Sequence, residues 1–308
     1  MRATREKKEG ALQVKFWGVR GSHPVAGAGY SHFGGNTPCV EVRCGTRLFV
    51  IDAGNGIIPF GVDLIGEAPA RIDLLLSHLH LDHISGLPFF KPAFNPATII
   101  DTWCGNLEGR SAETALGKIF APPLFPVTLS QFPATFRHHG FMAGETLHFD
   151  DGFEVKTCLL KHPSNATGYR FDHNGRSICY ISDIEHEMPW PPETLARFVA
   201  DADLIIYDGM FSEEEYMRCV GWGHSTWKKG VELCRAAGVK AMAIFHLHPL
   251  ADDDKLRAVE RELKREMPTA FIARDGLALN FADYLKELPY FAAEVLPRLE
   301  KLGLRAAD

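Results

Sequence analysis

Three histidines and an aspartate crowd into six positions of the stretch SHLHLDHISG: His78, His80, Asp82 and His83. Imidazole nitrogens and carboxylate oxygens are the donors that borderline divalent cations take. Packed together without a cation, these groups compete for too few partners, whereas one ion satisfies them all. Any single one of the fourteen histidines in the chain would more often be structural, but four ligand-type residues this close point to a metal. A metal held this way lowers the pKa of a bound water and draws charge from an attacked centre, which is hydrolytic chemistry.

Such a cluster needs rigid elements to present it. The apolar run IDLLLS (72–77) reads as a buried strand that ends where the cluster starts, so His78 to His83 occupy a strand-to-helix turn, where side chains converge. Further β-rich runs are VKFWGVR, CVEVRC and RLFVID before the cluster and ETLHFD, FEVKTCLLKH, ATGYRF, RSICYIS and DADLIIYD after it. STWKKGVELCRAAG is an amphipathic helix leading into the strand VKAMAIFHL, and DDDKLRAVERELKREM opens acidic and closes basic, as a helix dipole favours. The outline is two similar halves without a sequence repeat. Strands and helices mix along the whole length with no linker, which favours one α/β domain over residues 1–308. The Pro- and Phe-rich stretch at about 91–144, with one helical segment, SAETALGKIF, reads as a lid-like insertion.

Composition excludes several classes. At 308 residues and 46% hydrophobic content the chain is globular, and no window approaches eighteen uninterrupted apolar residues. The start MRATREKKEG has no apolar core of a leader, and seven cysteines without a CxxC pair suit reduced thiols, so a cytoplasmic protein is expected. A net charge of -6 with no basic run after the first eight residues gives no footprint for long nucleic acids. The tail YLKELPYFAAEVLPRLEKLGL is apolar enough to dock on the body or on a second subunit, making a homodimer.

The string His78, His80, Asp82, His83 resembles the HxHxDH signature of the metallo-β-lactamase superfamily, and segments similar to the family's other motifs follow in order. FVIDAGNG puts Asp52 where a supporting aspartate follows a strand; LLKHPS, YISDIEH and AIFHLHP give His162, Asp183 and His246. The resemblance implies a four-layer αββα sandwich with two divalent metal ions at one edge. His78, His80 and His162 would hold one, Asp82, His83 and His246 the other, with Asp183 bridging. Zinc is the expected metal, and imidazole with carboxylate also accommodates manganese or iron.

Local segments resemble particular branches. GWGHSTWKKGVELCRAAGVKAMAIFHLHP is similar to ribonuclease Z, while FWGVRGSHPVAG and GGNTPCVEV look like bacterial cyclic nucleotide phosphodiesterases and related small phosphodiesterases. Ribonuclease Z carries an arm for tRNA between the third and fourth motifs, but only 21 positions separate His162 from Asp183. The expectation is therefore a phosphodiesterase acting on small or cyclic phosphodiesters through a metal-bridging hydroxide. Asp82 counts in its catalytic set, His224 of the GHST segment would protonate the leaving oxygen, and Asp208, closing DLIIYD, would orient it. A thioester or lactam hydrolase of the same fold is the alternative, and a non-catalytic metal-bound sensor or interaction module is the alternative of another class. Arg20, Asn36 and Thr37 sit in Gly-rich turns as weaker phosphate-binding candidates, His248 is a supporting candidate, and His138 and His139 read as surface residues.

Overall fold

A computed structural model describes residues 11–281. The apolar tail from Tyr284 lies outside the described residues, and with it the expectation of docking. In chain order the strands are β1 (Leu12–Gly18), β2 (Cys39–Cys44), β3 (Arg47–Ile51), β4 (Arg71–Leu76), β5 (Ile99–Gly105), β6 (Thr135–Phe141), β7 (Thr146–His148), β8 (Glu154–Leu160), β9 (Ala166–His173), β10 (Arg176–Ile181), β11 (Leu204–Asp208), β12 (Met242–Phe245), β13 (Ala270–Ile272) and β14 (Ala278–Phe281). The helices are α1 (Ile57–Asp63), α2 (Leu81–Ile84), α3 (Ala112–Gly117), α4 (Glu193–Phe198), α5 (Glu213–Arg218), α6 (Trp227–Ala237) and α7 (Asp253–Glu266).

Two seven-stranded sheets result, in the orders β14-β1-β2-β3-β4-β5-β6 and β13-β12-β11-β10-β9-β8-β7. Each is half antiparallel and half parallel. In the first, β3, β4, β5 and β6 run parallel, and in the second β10, β11, β12 and β13 do. The first sheet takes β1 to β6 from the N-terminal part and closes with β14 from the C-terminal part, while β7 to β13 build the second. Between them lies a core that includes Phe16, Phe49, Tyr169, Tyr180 and Phe245. Trp227, Val231 and Cys234 of α6 continue that core on the outer side of the second sheet, while Ile57, Phe60 and Leu116 cover the first sheet from α1 and α3. The layers are therefore helix, sheet, sheet, helix, as expected.

Local chemistry explains the long helices. Thr226 caps α6 by accepting from Lys229 N, and Gly238 ends it in the left-handed region at φ 68°. Asp252 caps α7, whose first turn is acidic and last turn basic.

The stretch 91–144 is not a lid as a whole. It supplies β5 and β6 to the first sheet, with Ile100 and Cys104 buried, and only 106–134 between them, carrying α3, is an excursion. Proline and polar residues around IIDTWCG and TFRHHGF obscured two parallel strands, because an edge strand such as β6 does not need the apolar alternation that marks a central one. His138 and His139 are likewise not simply surface residues. On β6, His138 Nδ1 meets Thr102 Oγ1 at 2.6 Å, and His139 Nε2 meets Asp101 Oδ1 at 2.8 Å with its ring stacked on Trp103.

Candidate metal centre

Strand ends converge at one edge of the sandwich. Asp52 follows β3, His78 follows β4, His162 follows β8, Asp183 follows β10, Asp208 closes β11 and His246 follows β12. Helix α2, starting directly after His80, adds Asp82 and His83. Asp52, Asp183 and His246 all adopt positive φ, at 62°, 62° and 54°. Non-glycine residues pay about 1 kcal/mol or more for this conformation, so the turn that each strand makes into the cleft is held by the surrounding structure.

The donors form two triads. One nitrogen each from His78, His80 and His162 lie within 4.8 Å of one another, and the same holds for the donors of Asp82, His83 and His246. Asp183 stands between the triads. Its Oδ1 is 4.0 Å from His78 Nε2, 3.8 Å from His162 Nε2 and 3.3 Å from His246 Nε2, while its Oδ2 is 3.4 Å from His83 Nε2. Two further donor groups, His78–His83–Asp183 and Asp183–Asp208–His224–His246, share residues with these triads.

Three of the imidazoles are oriented from behind. His83 Nδ1 meets Asp52 Oδ2 at 2.8 Å, His78 Nδ1 meets Ser77 Oγ at 3.0 Å, and His162 Nδ1 donates to the Gly223 carbonyl at 2.7 Å. That leaves Nε2 of each facing the cleft, as outer hydrogen bonds do for metal-binding histidines. Burial pulls the pKa values of His78, His80 and His162 down, so their lone pairs are free.

The residues present fit divalent ions. His78 Nε2, facing Asp183, is buried without a hydrogen-bond partner. Nitrogens also face nitrogens, His83 Nε2 to His246 Nε2 at 3.3 Å and His80 Nδ1 to His162 Nε2 at 3.1 Å. These nitrogens and the buried Asp183 carboxylate form a dense donor set that a cation could share.

His224 and Asp208 adjoin this centre. His224 Nδ1 lies 2.8 Å from Asp208 Oδ2 and 3.8 Å from Asp183 Oδ1, and its ring stacks on His246. Burial pulls the pKa of His224 down, but Asp208, with Asp183 and Asp82 farther off, carries it up to about 9. The structure brings this pair together as expected.

The weaker candidates do not join the site. Arg20 is fully buried, and its guanidinium donates to the carbonyls of Gly34, His248 and Ala251, a clamp between loops. Asn36 donates to Trp17 O, and Thr37 bonds Asn55, so both stabilise turns. His248 Nδ1 accepts from Leu250 N and its ring lies near Phe211.

Sequence reasoning missed several supports. The Ser22 amide donates to Asp82 Oδ2 at 2.8 Å, Ser182 Oγ donates to Asp183 Oδ2 at 2.6 Å, and Tyr180 OH donates to Asp52 Oδ2 at 2.7 Å. Glu185 takes the Gly221 and Gly223 amides at 2.6 and 2.9 Å and so fixes the loop before His224. Two glycines carried a signal. A Cβ at Gly21 would stand 2.4 Å from the His246 ring, and one at Gly223 would stand 2.3 Å from His162 Nδ1.

Comparison with known proteins agrees with this architecture. The model of the beta-lactamase superfamily domain matches residues 47–247. The chain belongs to the beta-lactamase superfamily, whose fold implies divalent metal ions. It is similar to proteins named ribonuclease Z. One from Gemmatimonas aurantiaca is 30% identical over 139 residues, which are 45% of this chain and 40% of that protein. One from Archaeoglobus fulgidus is 30% identical over 328 residues, covering 87% of this chain and 97% of the relative. The chain thus spans less than half of the first relative and nearly all of the second. Among solved structures, the metallo-beta-lactamase fold protein YhfI from Bacillus subtilis superposes with a TM-score of 0.67 at 17% identity, over 89% of this chain and 100% of that one.

Proposed function

We propose that the protein is a binuclear metal-dependent phosphodiesterase that hydrolyses small or cyclic phosphodiesters. The observation that carries this reading is the meeting of two three-residue donor sets at Asp183, with the His224–Asp208 pair beside them. His78, His80 and His162 would hold one divalent ion, Asp82, His83 and His246 the second, and Asp183 both. Ions held there supply a nucleophile at neutral pH and neutralise phosphoryl oxygens. Zinc suits this donor set best.

The chain's own residues provide the rest. Asp208 holds the His224 ring by Nδ1, leaving Nε2 to give a proton to a departing alkoxide. Asp82, fixed by the Ser22 amide and half-ringed by His83 and His246, stays ionised at the mouth of the cleft. Burial opposes that ionisation, but His83 and His246 drive its pKa far below the usual carboxylate range. A thioester expels a thiolate that needs no such proton donor, so the His224–Asp208 pair favours the phosphodiester over a thioester.

Substrate size rests on two features. β9 and β10 form a short hairpin between His162 and Asp183, with Asn174 and Gly175 at its tip, which leaves no arm for a folded RNA. The chain also carries a net charge of -6. The relatives named ribonuclease Z favour a second reading, cleavage of an RNA precursor. Among the described residues no helix is long and apolar enough to cross a membrane.

Protein purified without chelator should carry about two metal ions per chain and cleave bis(p-nitrophenyl) phosphate in preference to a thioester or nitrocefin. Asp183→Ala should lose at least one ion and more than the ~10²-fold activity typical of removing an outer partner. Elemental analysis beside the three assays decides. Two ions retained with unchanged affinity in the variant would remove Asp183 from the shared position, and a steep fall of activity with salt together with cleavage of tRNA precursors would favour the RNA reading.

A further inference from the structure

Of the five tryptophans, Trp222 alone is exposed, at 62% of its surface, and it stands two residues before His224. Large aromatic side chains left in water forgo their burial energy, so an isolated one on a mobile loop would mean little. This one is on a fixed loop. Glu185, itself buried, grips the amides of Gly221 and Gly223, the two neighbours of Trp222, and the Trp222 amide donates to Cys219 O at 3.0 Å. The Gly223 carbonyl is in turn held by His162 Nδ1, so the segment is anchored to the metal centre itself.

Its position relative to the reacting groups is also defined. The Trp222 ring lies 6.5 Å from Phe211, edge to face, and Phe211 lies 5.9 Å from the ring of His224. One aromatic ring therefore separates the exposed indole from the group placed to protonate the leaving oxygen. In a nucleotide diester, the sugar carrying that oxygen also carries the base. A rigid, solvent-facing indole at this offset is a stacking platform, because every nucleobase presents a π-face to it without a requirement for sequence.

We infer that Trp222 is a specificity-determining residue whose indole stacks on the nucleobase of the substrate, so that the small diesters cleaved are nucleotides. This rests on the phosphodiesterase reading above and narrows its substrate class. The metal-loaded full chain would be compared on adenosine 2′,3′-cyclic phosphate and on glycerol 1,2-cyclic phosphate, which has the same ring phosphate and no base. Trp222→Ala should lower the ratio of the two kcat/KM values by about tenfold, chiefly through KM for the nucleotide, as loss of one stacked base predicts, and Trp222→Phe should restore part of it. An unchanged ratio overturns the inference, whether both activities persist or both fall together, since the latter marks a scaffold role for the loop. Binding of adenosine 5′-monophosphate by equilibrium dialysis tests the platform separately. If the wild type cleaves neither diester, the phosphodiesterase reading fails, and a weaker affinity of the alanine variant for the monophosphate still supports the platform. Equal affinity sinks it.

Discussion

Two regions of the molecule make the same contact and do different things with it. In the cleft, Asp52 meets His83 and Asp208 meets His224, each at 2.8 Å; at the β5–β6 edge, Asp101 meets His139, also at 2.8 Å. The distance does not distinguish them. In the cleft the aspartate takes Nδ1 and Nε2 projects forward, where for His83 it faces Asp82 and Asp183 at 3.3 and 3.4 Å. At the edge the aspartate takes Nε2, and the ring lies on Trp103 with centroids 4.1 Å apart. His83 is wholly buried while His139 is 34% exposed. An aspartate behind a histidine orients it, and the role then depends on what the other nitrogen meets and how dry that place is.

The largest effect that would sharpen this contrast is expected at His224. If its free nitrogen serves the leaving oxygen, His224→Ala should slow cleavage of an alkyl or ribose diester by roughly 10² to 10⁴ with metal retained. A p-nitrophenolate leaves with little help near neutral pH, so loss on that ester should be much smaller. Rates on both esters at saturating metal give the answer, and equal losses with metal and fold intact would assign His224 a structural place like that of His139.

Next in size is the pair that backs His83, a proposed ligand. Asp52 is saturated, taking donors from the Ser77 amide, Ser77 Oγ and Tyr180 OH as well as His83. Asp52→Asn should weaken metal binding by roughly 10- to 100-fold, read by competition with a chelator, because His83 loses the acceptor that fixes its tautomer. Tyr180→Phe, which removes one donor and leaves the His83 contact, should cost stability more than metal. Equal metal affinity in wild type and Asp52→Asn would place Asp52 in the same class as Asp101.

The contrast also explains what could be read in advance. His78, His80, Asp82 and His83 are near neighbours in sequence because one strand end and one helical turn present them, so local density marked them as candidate ligands. Asp52, His162, Asp183 and His246 were reachable through motif resemblance, each one residue or two past a strand with a clear β pattern. The supports were not. Ser22 acts through its backbone amide and Glu185 through amides of a distant loop, and neither use leaves a mark on residue type or spacing. β5 and β6 escaped because their flanks hold proline and their polar residues pair with each other across the sheet, as Asp101 and His139 do, where the pattern suggested a loop. Arg20 misled in the opposite sense: a charged residue in a glycine-rich turn looked open to an anion, while its donors are spent on carbonyls inside the fold.

The smallest effect belongs to the edge pair, and it tests whether that region is independent of the cleft. His139→Ala removes one hydrogen-bonded partner of Asp101 and the ring stacked on Trp103. Asp101 would not be stranded, since Arg71 Nε stands 2.8 Å away. A partly exposed hydrogen bond and one aromatic contact together contribute about 1 kcal/mol or a little more, so the urea midpoint should fall slightly. Metal content and kcat/KM should stay at the wild-type level, because His139 lies on β6, with β5 between it and the β4 end that leads to His78, and His139 and Asp101 bond each other and Arg71 rather than a cleft residue. The urea midpoint and the elemental analysis together make the test decisive. A loss of bound metal in His139→Ala without a matching loss of stability would show that the β5–β6 edge helps to shape the centre, and the division between an orienting and a merely stabilising aspartate–histidine pair would then fail.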